Sequence, residues 1–234
     1  MSLLERLIVK IIILIHSPLI IAEAIMDLPD SSGIHDIKIE TSVGVVDVTL
    51  SVPKVLDDQP RPLVLVLHYA GQPTSFYGRP LIEFLVEPSF AHMDPILFAP
   101  TSLGGDWKQA HNVTAVLELI ELFSGRYPVD EKRRIITGYS MGAIGSWHLS
   151  TQHPNLFSAA LPVAGFPVPL PSCVIPTHVI LSRDDEVFPI AKFLQEIEQR
   201  HDNNLQYSLI ERAGHYDISA FTGPLKKAVE SLPQ

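Results

Sequence analysis

The sequence predicts an α/β fold, a mostly parallel central sheet of about seven to eight strands flanked by helices on both faces. Three observations carry this. Short β-rich runs alternate with helical patterns along most of the chain. One run, Leu63 to Leu67, is continuously apolar, as a strand buried on both faces must be. A serine between two glycines, Gly138-Tyr139-Ser140-Met141-Gly142, joins the apolar strand RRIIT directly to the helical pattern MGAIGSWHL.

Taken in order, His35 to Thr41 and Val43 to Val52 are rich in Val, Ile and Thr and close enough to pair as an antiparallel hairpin at the sheet edge. Pro53 to Pro62, with its prolines and aspartates, is a solvent loop. Leu63 to Leu67 follows as a central strand and runs into His68-Tyr69-Ala70-Gly71. A helix is expected within Ser75 to Phe90, then a strand at Ile96 to Ala99. Asn112 is placed to cap a helix running to Phe123, with Gly125 ending it, and Arg134 to Thr137 is the next buried strand. Gly142, Ala143 and Gly145 allow the helix after Ser140 to lie close on the sheet, and it should stop near Gln152, ahead of Pro154. Ala159 to Val163, His178 to Leu181 and Gln206 to Ile210 complete the strands. The segment between Gly165 and His178 is too short for a helical cap domain, so the site should be open or covered only by loops.

With 234 residues, 46% hydrophobic and 18% charged, the chain suits one packed domain, expected over residues 25–234. Residues 1–24 differ in kind: Arg6 and Lys10, then IIILIHSPLII, then Ala22-Glu23-Ala24. This is the layout of a secretory signal peptide and predicts a secreted or periplasmic protein. A misassigned start, an N-terminal anchor or an ordinary buried helix of a cytoplasmic protein fit the same residues. Lys10, His16 and Pro18 interrupt the run, leaving it short of the roughly 20 apolar residues a bilayer needs. A net charge of -9 offers no basic face for phosphates, which excludes nucleic acid as an expected partner. The single cysteine, Cys173, rules out an internal disulfide, and no His or Cys cluster has the spacing of a metal site.

The chemistry centres on Ser140. A strand-turn-helix with glycine on either side exposes its hydroxyl, because a Cβ at either glycine would collide across so tight a turn. Serine alone is a weak nucleophile: it needs an imidazole to take its proton and a carboxylate to hold that imidazole in the right tautomer. His215 stands just after the last strand, in Gly214-His215-Tyr216, where a short loop can turn it toward Ser140. His148 and His153 lie along the helix after Ser140 and His201 at a helix end, all away from the strand tips. Asp184, Asp185 and Glu186 lie together after THVILSR, and spacing alone leaves the choice between Asp184 and Asp185 open. An oxyanion hole would take the backbone N–H of Met141 and a second donor from His68 to Gly71, with His68 itself in a structural role. Tyr69, Trp107 and Phe166, along with Phe76 and Tyr77, follow strand ends or lie near them and are candidates to line an apolar substrate pocket.

LHYAG, GRYPVDEKRRIITGYSMGAIGSWHL, HPNLFSAALPVAG, DDEVFP and GHYD together resemble bacterial esterases of the α/β-hydrolase superfamily. These are relatives of polyhydroxybutyrate depolymerases, phospholipase/carboxylesterases and dienelactone hydrolases. The resemblance extends over most of Leu63 to His215. It implies that Asp185, in Asp185-Glu186-Val187-Phe188-Pro189, is the acid, and that the N–H of Ala70 is the second oxyanion donor. Tyr69 stands where such proteins usually have glycine, and Ala143 where a second glycine is frequent.

The expected activity is cleavage of small-molecule carboxylic esters through an acyl-enzyme, with Ser140, His215 and Asp185 as triad and no cofactor or metal. Two other readings fit the same residues: an amidase or peptidase using that triad, and a non-catalytic binding module on the same fold.

Overall fold

In the computed structural model, which describes residues 28–54, 59–198 and 202–232, one sheet of eight strands organises the chain. The strands are β1 (Gly33–Thr41), β2 (Gly44–Val52), β3 (Arg61–Leu67), β4 (Ile96–Pro100), β5 (Val129–Tyr139), β6 (Ala159–Val163), β7 (Thr177–Ser182) and β8 (Leu205–Ile210). Their order is β1-β2-β4-β3-β5-β6-β7-β8. The β1-β2 and β2-β4 pairs are antiparallel and every other pair is parallel. The hairpin expected at the edge is there, with Thr41 opposite Gly44 at its tip. The 1–24 segment read as a leader lies outside the described residues.

Strand β3 shows why its sequence is apolar throughout. Leu63, Leu65 and Leu67 face one core, while Val64 and Val66 face the other, so the two-residue period of a strand sends alternate side chains into opposite layers. The first layer is built from α3 (Ala110–Arg126) and α4 (Met141–Gln152), with α5 (Ile190–Glu198) extending it beneath β7 and β8. The second is built from the helical stretch Arg79–Met93 and from α6 (Thr222–Glu230).

That stretch differs from the single helix expected within Ser75 to Phe90. It runs as α1 (Arg79–Leu81), a π-helical turn (Ile82–Val86), α2 (Glu87–Phe90) and a 3₁₀ turn (Ala91–Met93). Pro88 supplies the reason: it has no N–H to give the carbonyl of Phe84, so the turn widens and Glu87 N–H donates to Ile82 O. The carbonyl that Pro88 leaves unpaired accepts the Thr222 hydroxyl at 3.0 Å instead, which ties this stretch to the start of α6.

Asn112 also departs from expectation. It lies inside α3, which begins at Ala110 and runs through Gly125 to Arg126, so it does not cap that helix. Its buried amide accepts from Leu103 N–H at 2.8 Å and donates to the carbonyls of Gly104 and Asp106, both at 2.9 Å. It pins the loop after β4 rather than a helix end. Between Gly165 and β7 there is no helix, as the spacing predicts.

Candidate active site

Parallel strands deliver their following loops to one end of the sheet, and four of those loops meet here. Ser140 follows β5 directly, with φ +55° and ψ -113°, and α4 begins at the next residue. The flanking glycines are fixed by contact. A Cβ on Gly142 would stand 1.9 Å from the carbonyl oxygen of Leu67, and one on Gly138 would stand 2.4 Å from that of Gly142. The start of α4 is therefore pressed against the end of β3 and the loop that leaves it.

Ser140 Oγ lies 2.9 Å from His215 Nε2, and His215 Nδ1 lies 2.8 Å from Asp185 Oδ2. All three residues are buried. A carboxylate only accepts, so Nδ1 carries the proton and donates it to Asp185; Nε2 of the neutral ring is then free to accept from the Ser140 hydroxyl. The other oxygen, Asp185 Oδ1, accepts the backbone N–H groups of Val187 at 2.8 Å and Phe188 at 2.7 Å, which locks the carboxylate plane. Asp184, the neighbour that spacing alone does not set aside, is exposed.

His68 is fully buried and its ring is satisfied on both sides. Nδ1 donates to the Tyr69 carbonyl at 2.7 Å, and Nε2 accepts from Ser102 N–H at 3.0 Å. Burial pushes its pKa down to about 4, a shift that the Tyr69 carbonyl only partly offsets. The ring is therefore a neutral brace for the loop, the structural role expected of it. Near it, the backbone N–H groups of Ala70 and of Met141, first residue of α4, have no hydrogen-bond partner among the described residues.

Two of the aromatic residues expected at the substrate pocket belong to the core. Trp107 is buried, donates its indole N–H to the His68 carbonyl at 2.9 Å, and packs beside the His68 ring at 4.8 Å between centroids. Phe166 is buried against Phe188 and Phe193. Both reach the site at one remove: Trp107 through the loop of His68, and Phe166 through Phe188, whose ring stands 5.5 Å from that of His215. Tyr69 is partly exposed and packs against Tyr77 at 5.2 Å. No group of three or more His, Cys, Asp or Glu side chains placed to hold a metal occurs among the described residues.

Two contacts carried no separate signal in the sequence. The hydroxyl of Tyr139 donates to the His215 carbonyl at 2.7 Å, and Glu186 Oε2 accepts the His215 N–H at 2.9 Å. That bond holds the Glu186 carboxyl below the usual carboxylate range.

An eight-stranded sheet with this switch of strand order, and a serine on a strained turn above it, define the architecture: the chain has the α/β-hydrolase fold. Residues 102–217 match the esterase family described as "Putative esterase". The matched span includes Ser140, Asp185 and His215. Among solved structures, a thermostable esterase is 23% identical, with a TM-score of 0.68 over 85% of this chain; the chain spans 62% of that protein's length. An α/β serine hydrolase without a lid from Xanthomonas campestris is 13% identical, with a TM-score of 0.70 over 88% of this chain and 98% of its own. An S-formylglutathione hydrolase from Agrobacterium tumefaciens is 14% identical, with a TM-score of 0.68 over the same shares, 88% and 98%. No curated protein compared with the chain is significantly similar.

Proposed function

We propose that the protein hydrolyses small carboxylic esters by two-step acyl transfer on Ser140. The observation that carries this is the unbroken chain of hydrogen bonds from Asp185 through His215 to Ser140, formed where β7, β8 and β5 end. Ser140 Oγ attacks the ester carbonyl carbon while its proton passes to His215 Nε2, and Asp185 stabilises the imidazolium that results. The carbonyl oxygen gains the negative charge, and the N–H groups of Met141 and Ala70 are the donors we assign to it. As the tetrahedral centre collapses, the carbonyl re-forms, the ester C–O bond breaks and His215 gives its proton to the departing alcohol. A water molecule, deprotonated in turn by His215, then attacks the acyl-serine; the acid leaves and the hydroxyl of Ser140 is restored.

The test is hydrolysis of p-nitrophenyl acetate by the wild type and by Ser140→Ala, His215→Ala and Asp185→Asn. Ser140→Ala and His215→Ala should lower kcat by at least about 10³-fold, and Asp185→Asn by a comparable factor through the wrong tautomer. Full turnover by Ser140→Ala would rule the proposal out.

A further inference from the structure

We propose that Glu186 and Tyr139 act together as positioning residues for His215, gripping its peptide backbone while Asp185 grips its ring; this rests on the reading of His215 as the general base. His215 has no regular element of its own. It sits in the loop between β8, which ends at Ile210, and the 3₁₀ turn Ile218–Phe221. A bond from Asp185 to Nδ1 fixes the direction of the imidazole but leaves the loop free to carry the whole residue toward or away from Ser140.

The loop is held by side chains from two neighbouring strand ends. Ser182, the last residue of β7, donates its hydroxyl to the Ala213 carbonyl at 2.5 Å. Glu186 takes the His215 N–H, and Tyr139 donates to the His215 carbonyl. Both backbone groups of the proposed base are therefore bonded to side chains, in a loop where solvent would otherwise compete for them. Glu186 is exposed, and its carboxylate lies next in sequence to that of Asp185. Consecutive carboxylates repel, and here each meets a different donor of His215: Asp185 the ring N–H, Glu186 the main-chain N–H. Tyr139 adds packing to its hydrogen bond, since its buried ring lies 5.8 Å from that of His215 and edge-on to Phe221. The Ser140–His215 distance is thus set from the backbone of His215 as well as from its ring, and small displacements of a reacting pair lower rate steeply.

The experiment measures the rate of labelling by a fluorophosphonate, with kcat and KM for p-nitrophenyl acetate alongside. The proteins compared are wild type, Glu186→Ala, Glu186→Gln, Tyr139→Phe and, as control, Asp184→Ala, which removes one charge from the same loop. Glu186→Ala and Tyr139→Phe should each lower labelling rate and kcat by about tenfold, with KM within about twofold of wild type. Glu186→Gln keeps an acceptor oxygen and should recover most of the rate, and Asp184→Ala should be unchanged. Wild-type rates in Glu186→Ala would overturn the proposal. So would equal losses in Glu186→Ala, Glu186→Gln and Asp184→Ala, since that pattern reports charge and not a hydrogen bond. If the wild type itself does not label, the Ser140 reading fails, and the clamp with it.

Discussion

At Ser140 a φ of +55° with a ψ of -113° places a residue bearing a Cβ where glycine is at ease and serine is strained, by roughly 1–3 kcal/mol. Its position makes the strain useful, because the turn lifts the hydroxyl onto His215. Two variants that both lack the hydroxyl separate strain from chemistry. Ser140→Gly should be more stable than Ser140→Ala by about 1 kcal/mol in urea titrations, since relief of strain exceeds the entropy glycine adds to the unfolded chain. Equal stability of the two would show that the turn stores no strain. His68 makes a second prediction, read from pH. Its folded pKa, about 4, lies below the ordinary value near 6.5, so as pH falls the unfolded chain takes up a proton that the buried ring refuses. The contribution is intact above pH 6.5 and is lost as pH falls from there to about 4, by up to about 3 kcal/mol. His68→Asn should accordingly lose less stability than wild type between pH 7 and pH 4; parallel losses would mean that the ring titrates freely.

The elements around these residues were legible to different degrees, for physical reasons. Strands β3, β6 and β7 and the Ile135–Tyr139 end of β5 were readable because burial on both faces demands a short, nearly continuous apolar run, a pattern that surface segments do not produce. The turn at Ser140 was readable because close contact admits only glycine at its flanks. Spacing could not choose between Asp184 and Asp185. Adjacent residues in a loop turn opposite ways, and the direction is set by the N–H groups of Val187 and Phe188, which meet only Asp185. Trp107 and Phe166 misled because an aromatic side chain near a strand end reads the same whether it faces substrate or supports the loop behind it. Asn112 has the chemistry of a cap and uses it on another segment. Glu186 and Tyr139 act through the backbone of a residue far along the chain, which no local pattern encodes. The support from Trp107 can be measured. Trp107→Phe removes the N–H that satisfies the His68 carbonyl and leaves space where Gly145 had let α4 come close, since a Cβ there would stand 2.5 Å from Trp107 Cβ. It should destabilise the protein by about 1–3 kcal/mol and lower activity through the loop of Ala70, measured by thermal melting and p-nitrophenyl acetate turnover. Unchanged melting and turnover would show that the loop stands without it.

Across the whole molecule, the sheet gathers the site at the carboxyl ends of its parallel strands while the surface carries an excess of negative charge. A net charge of -9 on 234 residues sets a field that repels anionic substrates over about a Debye length, roughly 10 Å at 0.1 M salt. Neutral acyl esters should therefore have a higher kcat/KM than matched esters carrying a carboxylate, and added salt should narrow the difference. A preference for the anionic ester that salt abolishes would point to a local positive field that the overall charge does not suggest. The described residues place no helical cap between β6 and β7, so selectivity is expected to come from the loops themselves, with Tyr69 beside the assigned oxyanion donor.

The most direct test of the account is where a fluorophosphonate attaches. Incubation with the probe, followed by mass spectrometry of the digested protein, should find one phosphonylated residue, Ser140, with no labelling of Ser140→Ala. Labelling of Ser140→Ala at the wild-type rate, or attachment to a different serine, would contradict it.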